Sequence, residues 1–207
     1  MDLDAFILIG GRSSRFGSDK ALADLDSVPL AENAARIVRT AFPAAEISFV
    51  AANEMQFAAA QFTQDLIFDR RPGIGSWSGV HAALTASKCE FCLILACDLP
   101  LINAELLCKL AHAVETSGKR AAVPLQPDGR LQPLCAVYRT RPVLESVEAL
   151  LAAADRPQSL ISFVQGIGAE VVEADDRGLD TFLNVNTPDD LKKAASERAR
   201  TPHKGLQ

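Results

Sequence analysis

Residues 6–20 of the chain read FILIGGRSSRFGSDK, in which a short apolar run leads directly into a glycine-rich loop. The glycines let the backbone take positive φ angles and come close to a ligand. Arg15 and Lys20 bring two positive charges to the same loop. Consecutive backbone N–H groups in such a turn form a concavity that binds anions. The stretch therefore predicts a strand followed by a nucleotide phosphate site, although a glycine pair after a strand can also be a plain tight turn.

Two common phosphate motifs are absent from this loop. The P-loop pattern requires Ser or Thr directly after its lysine, and Lys20 is followed by Ala21. The dinucleotide pattern G-x-G-x-x-G is not matched either. The loop therefore favours neither a P-loop ATPase nor an NAD-dependent enzyme.

The loop resembles the signature L-A-G-G-x-S-x-R-[MF]-G-x-D-K of the molybdenum cofactor guanylyltransferases, which is followed by Pro-Leu, here Pro29-Leu30. The resemblance continues in chain order at Asp69, at the C-D-L-P of residues 97–100 and at the N-V-N-T-P of residues 184–188. It implies transfer of GMP from GTP to molybdenum-bound molybdopterin, with release of pyrophosphate and with Mg²⁺ as cofactor. Proteins of cofactor biosynthesis and the molybdoenzymes that accept the product are the partners it implies.

The same resemblance implies the site residues. Arg15, Lys20 and Asp98 would be catalytic. The nucleotide site would comprise Leu8, Ile9, Gly10, Gly11, Lys20, Asn53, Asp69 and Asp98. Gln132 in a Gln-Pro-Leu element would face the pterin, with Arg130 and Arg139 as further candidates.

Asp98 is also singled out by its position. It follows the apolar run 91–97, where a carboxylate is costly unless it is paired or bound to a metal. Pro100 cannot continue a central strand, so the strand should end here and Asp98 should lie at its carboxyl edge. Mg²⁺ is typically held by one or two carboxylates and substrate phosphates. The alternative is an aspartate that caps a helix or fixes a loop.

Asn184 and Asn186 alternate along the apolar run 182–185, so a strand there would point both to one face. Side-chain amides at that place suit metal-bound water or phosphate oxygens. The alternative is a pair of turn-forming asparagines before a helix.

The chain departs from the family pattern at three places. Ile9 replaces a small alanine, which would crowd the expected place of the guanine base. Ala51-Ala52-Asn53 replaces an N-x-N element, and the loop 72–79 carries Trp77, which either stacks on a ligand ring or packs against the next helix. Because related enzymes share the loop pattern G-x-x-x-R-x-G-x-x-K, a cytidylyltransferase or sugar-phosphate nucleotidyltransferase of the same fold is a rival function. A non-catalytic nucleotide-binding module is a rival from a different class. The pair Gly10-Gly11 favours guanine, because cytidylyl relatives tend to read Ala-Gly.

The whole pattern predicts one α/β domain. Short apolar runs alternate with helical patterns, which predicts a mostly parallel, Rossmann-like sheet with helices on both faces, as in nucleotide-diphospho-sugar transferases. Strands are expected at 5–9, 47–51, 66–69, 91–96, 121–125, 134–138, 170–173 and 182–185. Helices are expected between Pro29 and Pro43, from Asn103 to Thr116 and from Thr187 onward. The single domain would cover 1–196, its amino-terminal half for nucleotide and its carboxyl-terminal half for pterin, with a flexible tail at 197–207.

Composition fits this interpretation. The 207 residues are 48% hydrophobic and carry a formal charge of −5, which argues against nucleic acid and anionic membranes as partners. The acidic start and the short first apolar run predict neither a secretory signal nor a membrane span. Five cysteines in no disulfide-like spacing suggest a cytoplasmic protein, and the single C-x-x-C at Cys89 and Cys92 suggests structural thiols rather than a zinc site.

Overall fold

The computed structural model describes residues 1–10, 19–54, 62–69, 71, 73–153, 157–174 and 180–200. The strands are β1 (Leu3–Leu8), β2 (Asp24–Leu25), β3 (Val28–Pro29), β4 (Ile47–Ala51), β5 (Asp65–Phe68), β6 (Phe91–Ala96), β7 (Ala121–Leu125), β8 (Cys135–Arg139) and β9 (Glu170–Glu173). The helices are α1 (Leu30–Ala41), α2 (Ser76–Ala86), α3 (Ala104–Ser117), α4 (Thr140–Ala153), α5 (Leu160–Gly166) and α6 (Pro188–Arg200), and a 3₁₀ turn covers Lys20–Leu22.

Seven strands form one sheet in the order β5-β4-β1-β6-β8-β7-β9. Every neighbouring pair is parallel except those of β8, which runs antiparallel to both β6 and β7. The carboxyl ends of β5, β4, β1 and β6 therefore lie along one side of the sheet, here called the carboxyl edge. Ligands bind at this edge in open α/β sheets.

Helices cover both faces of the sheet, as predicted. On one face the apolar sides of α1 and α3 share a core with inward side chains such as Ile7, Phe49 and Leu93. On the other face α2, α4 and α5 pack on Phe6, Val50 and Ile94. Because β1 and β6 lie between covered faces, both are buried along their whole length.

The helix boundaries confirm the capping signals in the sequence. Helix α1 begins directly after Pro29 and ends before Pro43. The side chain of Asn103 accepts a hydrogen bond of 2.8 Å from the Leu106 N–H at the start of α3, and Gly118 ends that helix in a left-handed conformation with φ of 67°. The Asn103 side chain satisfies a backbone group that the start of a helix leaves without a partner, and glycine adopts the left-handed conformation at the other end without steric cost.

One expectation is corrected. Residues 182–185 are not a strand of the sheet: Phe182, Leu183 and Val185 are buried, and the Val185 N–H donates to the Asp98 carbonyl over 2.9 Å, beyond the end of β6. Helix α6 continues to Arg200. Arg198 holds it there, since its guanidinium donates to Asn33 and lies 3.5 Å from the Asp26 carboxylate. Residues 201–207 lie outside the described part.

The described residues contain no helix that is long and apolar enough to cross a membrane. They also contain no cluster of three or more His, Cys, Asp or Glu side chains that could hold a metal. Cys92 is buried and Cys89 is half-buried. Burial raises the pKa of Cys92 well above its usual value and that of Cys89 to about 12, which fits structural thiols.

Candidate functional site

The turn after the glycine-rich loop fixes Lys20 at the carboxyl edge. It is held by hydrogen bonds of 3.0 Å from the Leu22 N–H to the Asp19 carbonyl and from the Ala23 N–H to the Lys20 carbonyl. Ala21 is buried in the core between the sheet and α1. The turn is therefore anchored, and its lysine side chain lies only 19% exposed.

Asp98 follows β6 at the same edge, as its position in the sequence predicts. The Cys97 N–H donates to the Leu8 carbonyl over 3.2 Å, which carries the pairing of β6 with β1 up to this point. The buried amide of Asn33 then donates to the Pro100 carbonyl over 3.1 Å and holds the loop that follows. Sequence analysis missed Asn33. Its spacing of three residues from Leu30, on the buried side of α1, was the available signal.

Lys20, Asp98 and Asn186 meet in one cluster. The Lys20 ammonium nitrogen lies 2.7 Å from Asp98 Oδ2 and donates to Asn186 Oδ1 over 3.0 Å. Side chains separated by 78 and 166 residues in sequence thus share one point of the carboxyl edge. Ion pairs between exposed side chains contribute little to stability. The Lys20 side chain is 19% exposed and that of Asp98 is 20% exposed, so water screens this pair less.

The cap of α6 positions Asn186. One carboxylate oxygen of Asp190 accepts hydrogen bonds from the Asn186 N–H at 3.0 Å, the Thr187 N–H at 2.8 Å and the Thr187 hydroxyl at 2.9 Å. The Asp190 N–H in turn donates to the Thr187 hydroxyl over 3.2 Å. This reciprocal arrangement is a capping box with Asp in place of Glu. It fixes the backbone of the residue whose side chain meets Lys20.

The end of β1 places Gly10 against the end of β4. A Cβ atom at position 10 would lie 2.7 Å from the Ala52 nitrogen, so only glycine fits there. This packing explains why position 10 is a glycine, whichever base binds. The preference for guanine therefore does not follow from Gly10. Leu8 and Ile9 are buried in the core. Their nucleotide contacts, and the crowding expected from the Ile9 side chain, stay predictions.

Asn53 and Asp69 follow β4 and β5 at the same edge. Asn53 is exposed and Asp69 is half-buried. One carboxylate oxygen of Asp69 accepts a hydrogen bond of 2.7 Å from the Arg71 N–H, so Asp69 holds the backbone of Arg71. This leaves the nucleotide role of both residues as a prediction. Gly11 and Arg15 lie outside the described residues.

A cavity of about 780 Å³ opens next to the cluster. Gln132 and Asn184 line it, together with Trp77 and the segment 157–161. Asn184 and Asn186 stand two residues apart and are both exposed, while Val185 between them is buried. One asparagine therefore faces the cavity and the other meets Lys20, which joins the cavity to the cluster.

The two arginines predicted as pterin contacts lie in different places, one at the cavity and one at the far end of the sheet. Arg130 lines the cavity and pairs with Asp128, with 2.7 Å from its Nε to the carboxylate. Arg139 ends β8 opposite Phe91, at the end of the sheet away from the site, because β8 runs antiparallel to β6. Its guanidinium contacts Glu90 at 2.5 Å and lies over the Phe91 ring, so the role of Arg139 is structural.

The Trp77 side chain is 5% exposed and packs edge to face on Phe163. Of the two predicted roles of Trp77, this favours packing over stacking on a ligand ring.

The donor set of the cluster fits a magnesium ion. A carboxylate oxygen and an amide oxygen both point at one cation, the Lys20 ammonium, at a partly exposed place. Mg²⁺ takes oxygen ligands and is usually completed by water and substrate phosphates rather than by a cage of protein groups. A single aspartate with one amide oxygen beside it meets that requirement.

Comparisons with known proteins show the family and the fold. Residues 5–169 match the model of the MobA-like NTP transferase domain. A protein of Pelotomaculum thermopropionicum named as a probable molybdenum cofactor guanylyltransferase is 33% identical over 202 residues, covering 94% of each chain. The crystal structure of molybdopterin-guanine dinucleotide biosynthesis protein A from Archaeoglobus fulgidus is similar with a TM-score of 0.74 and 26% identity, over 96% of this chain and 100% of that one.

A more distant likeness concerns the fold alone. The structure of CMP:2-keto-3-deoxy-manno-octonic acid synthetase also reaches a TM-score of 0.74, over 97% of this chain and 99% of that one, at 16% identity. It confirms the predicted class of fold and carries no information on substrate. The family match covers most of the sequence, so the chain belongs to the MobA-like NTP transferases.

Proposed function

We propose that this family member transfers the GMP unit of GTP to the phosphate of molybdenum-bound molybdopterin. The observation that carries the proposal is the cluster of Lys20, Asp98 and Asn186 beside a cavity that Gln132 and Asn184 line. The names of its relatives, such as the one from P. thermopropionicum, supply the substrate class. Enzymes that supply the pterin, and molybdoenzymes that receive the product, would be its partners.

The reaction is a displacement at the α-phosphorus of GTP. An oxygen of the pterin phosphate forms the new bond, the bond from the α-phosphorus to the bridging oxygen breaks, and pyrophosphate leaves with that electron pair. The attacking phosphate is already ionised at neutral pH, so no protein base is needed. His81 lies on α2 and His112 on α3, and neither belongs to the sequence motifs of the site. Catalysis then rests on positioning and on charge stabilisation.

Each residue has a part in that displacement. Lys20, Arg15 and the loop amides would hold the β- and γ-phosphates and stabilise the negative charge of the departing pyrophosphate. Asn184 would face the pterin side of the reaction and Asn186 the nucleotide side. Asp98 and Asn186 would hold Mg²⁺, which supplies neutralisation of phosphate charge when bound.

A thermal-shift series tests the nucleotide part of the proposal. GTP with magnesium should raise the melting temperature more than CTP, ATP or UTP at equal concentration, because a ligand that binds only the native state stabilises it by mass action. The same series with a chelator in place of magnesium is the control and should show smaller shifts. A CTP shift equal to or larger than that of GTP would contradict the guanylyl assignment and leave the fold intact.

A further inference from the structure

Two segments outside the regular elements of the sheet form two walls of the cavity. The first wall is residues 157–161, which precede and begin α5, and the second wall is residues 132–134, between the turn after β7 and strand β8. Apart from the first turn of α5, neither wall belongs to a helix or a strand. Backbone hydrogen bonds hold part of each wall: the Gln132 N–H donates to the Pro124 carbonyl over 3.1 Å, the Ala96 N–H to the Leu134 carbonyl over 2.7 Å and the Phe163 N–H to the Ser159 carbonyl over 3.0 Å. The carbonyls of Gln158 and Pro133, inside the walls, accept hydrogen bonds from side chains instead.

Trp77 holds the first wall. Its indole N–H donates to the Gln158 carbonyl over 2.8 Å, across 81 residues of sequence. Its ring packs edge to face on Phe163 of α5, with ring centroids 5.0 Å apart. Packing alone would be served by a phenylalanine, whereas the indole adds one directed bond to the wall.

Tyr138 holds the second wall. It is 1% exposed, and its hydroxyl donates to the Pro133 carbonyl over 2.6 Å. Burial raises the pKa of Tyr138, so this hydroxyl keeps its proton and remains a donor. A buried hydroxyl is costly without a partner, and its partner here is the backbone beside Gln132.

We infer that Trp77 and Tyr138 are positioning residues for the second substrate, each through the single polar hydrogen it gives to one wall of the cavity. The assignment of the cavity to that substrate rests on the proposed function. The two donors come from different elements, α2 and β8, so their effects should be separable. Neither side chain needs to touch the substrate, since each acts through the wall that it fixes.

The test uses Trp77→Phe and Tyr138→Phe, which remove one hydrogen bond each and keep an aromatic ring. Thr140→Val is the matched control: Thr140 is 2% exposed, its hydroxyl lies 3.3 Å from that of Ser87, and it sits at the opposite end of the sheet. Amide hydrogen exchange, read by mass spectrometry on the ligand-free proteins, is the first measurement. Trp77→Phe should speed exchange about fivefold or more in residues 157–161 only, and Tyr138→Phe in residues 132–134 only.

Steady-state kinetics with GTP and molybdenum-bound molybdopterin are the second measurement. Each phenylalanine variant should raise the KM for the pterin about tenfold, as expected for one lost hydrogen bond, with kcat and the KM for GTP nearly unchanged. Thr140→Val should change neither KM. The double variant should show the product of the two single effects, because the walls are fixed independently.

The outcomes separate the inference from the proposed function. Unchanged exchange in both walls, or equal changes in both walls for either variant, would overturn the positioning role even if the enzyme transfers GMP. Wall-specific exchange without any transfer by the unaltered protein would support the positioning of the walls and refute the proposed function. A parallel rise in both KM values would mean general loosening and would also overturn the inference.

Discussion

Asp98 is the residue on which the proposed chemistry depends most. It brings the negative charge that Lys20 meets at 2.7 Å, and it lies where β6 ends beside the first loop. A carboxylate at that point can pair with the Lys20 ammonium when the site is empty and can bind a metal ion when nucleotide phosphates are present. The sequence predicted this position from the apolar run before it and from Pro100 after it.

Asp98→Asn should lower GMP transfer by more than about a hundredfold with little change in melting temperature, since the amide keeps the shape and removes the charge. Transfer assays and thermal unfolding measure the two effects. Glu170→Gln is the matched control, because it breaks the Lys119–Glu170 ion pair of the same 2.7 Å at the start of β9. It should leave transfer unchanged. Near-normal activity of Asp98→Asn would make Asp98 a loop-fixing residue and shift the metal role to another carboxylate.

Gly10 shows how a motif residue can have a packing reason. The sequence alone suggested that Gly10 approaches a ligand, and the structure shows that it approaches the backbone of Ala52. Such a contact depends on the register of β1 and β4, which no local pattern contains. The meeting of Lys20 with Asn186 likewise required the complete topology.

At the scale of elements, the start of α6 is the part that links stability to the site. Asp190 fixes the backbone of Asn186 and Thr187 through hydrogen bonds to one carboxylate oxygen. These hydrogen bonds lower the pKa of Asp190 from its ordinary value of 3.8, because the donors stabilise the charged form. The Asn186 N–H has the largest effect and the Thr187 hydroxyl the next largest.

A depressed folded-state pKa contributes stability that is present above pH 3.8 and is lost as the pH falls through the folded pKa. Asp190→Asn should therefore lower the free energy of unfolding by about 1 kcal/mol at neutral pH and should flatten its decline below about pH 4. Urea denaturation over that pH range measures both effects. Asp189→Asn, which removes an exposed ion pair with Lys192, is the neighbouring control. It should change neither the free energy of unfolding at neutral pH nor its decline below about pH 4. Equal pH profiles for Asp190→Asn and the unaltered protein would disprove the cap.

Local signals predicted most elements, and the failures have physical causes. Asn103 and Gly118 marked the ends of α3, and Pro29 and Pro43 bracketed α1. Residues 182–185 have the apolar pattern of a strand because three of them are buried. They lie beyond the end of β6, where the Val185 N–H donates to the Asp98 carbonyl, and they are not a strand in the described part of the chain. Burial was predictable from the sequence at that place, and strand pairing was not.

At the scale of the whole molecule, the direction of the strands decides what the site can contain. Because β5, β4, β1 and β6 are parallel, Asp69, Asn53, Gly10 and Asp98 all follow strands at the carboxyl edge. The antiparallel β8 carries Arg139 to the other end of the sheet and brings Gln132, which precedes it, to the cavity. The resemblance in the sequence located the motif residues, and the topology separated those at the site from those elsewhere.

The identity of the dinucleotide product tests the central claim most directly. The protein should be incubated with magnesium, molybdenum-bound molybdopterin and equal concentrations of GTP and CTP, and the dinucleotide should be released and identified by mass spectrometry. The account predicts molybdopterin guanine dinucleotide, formed with one pyrophosphate per molecule and absent with Asp98→Asn. Formation of the cytosine dinucleotide, or of no dinucleotide by a folded protein that binds GTP, would contradict it.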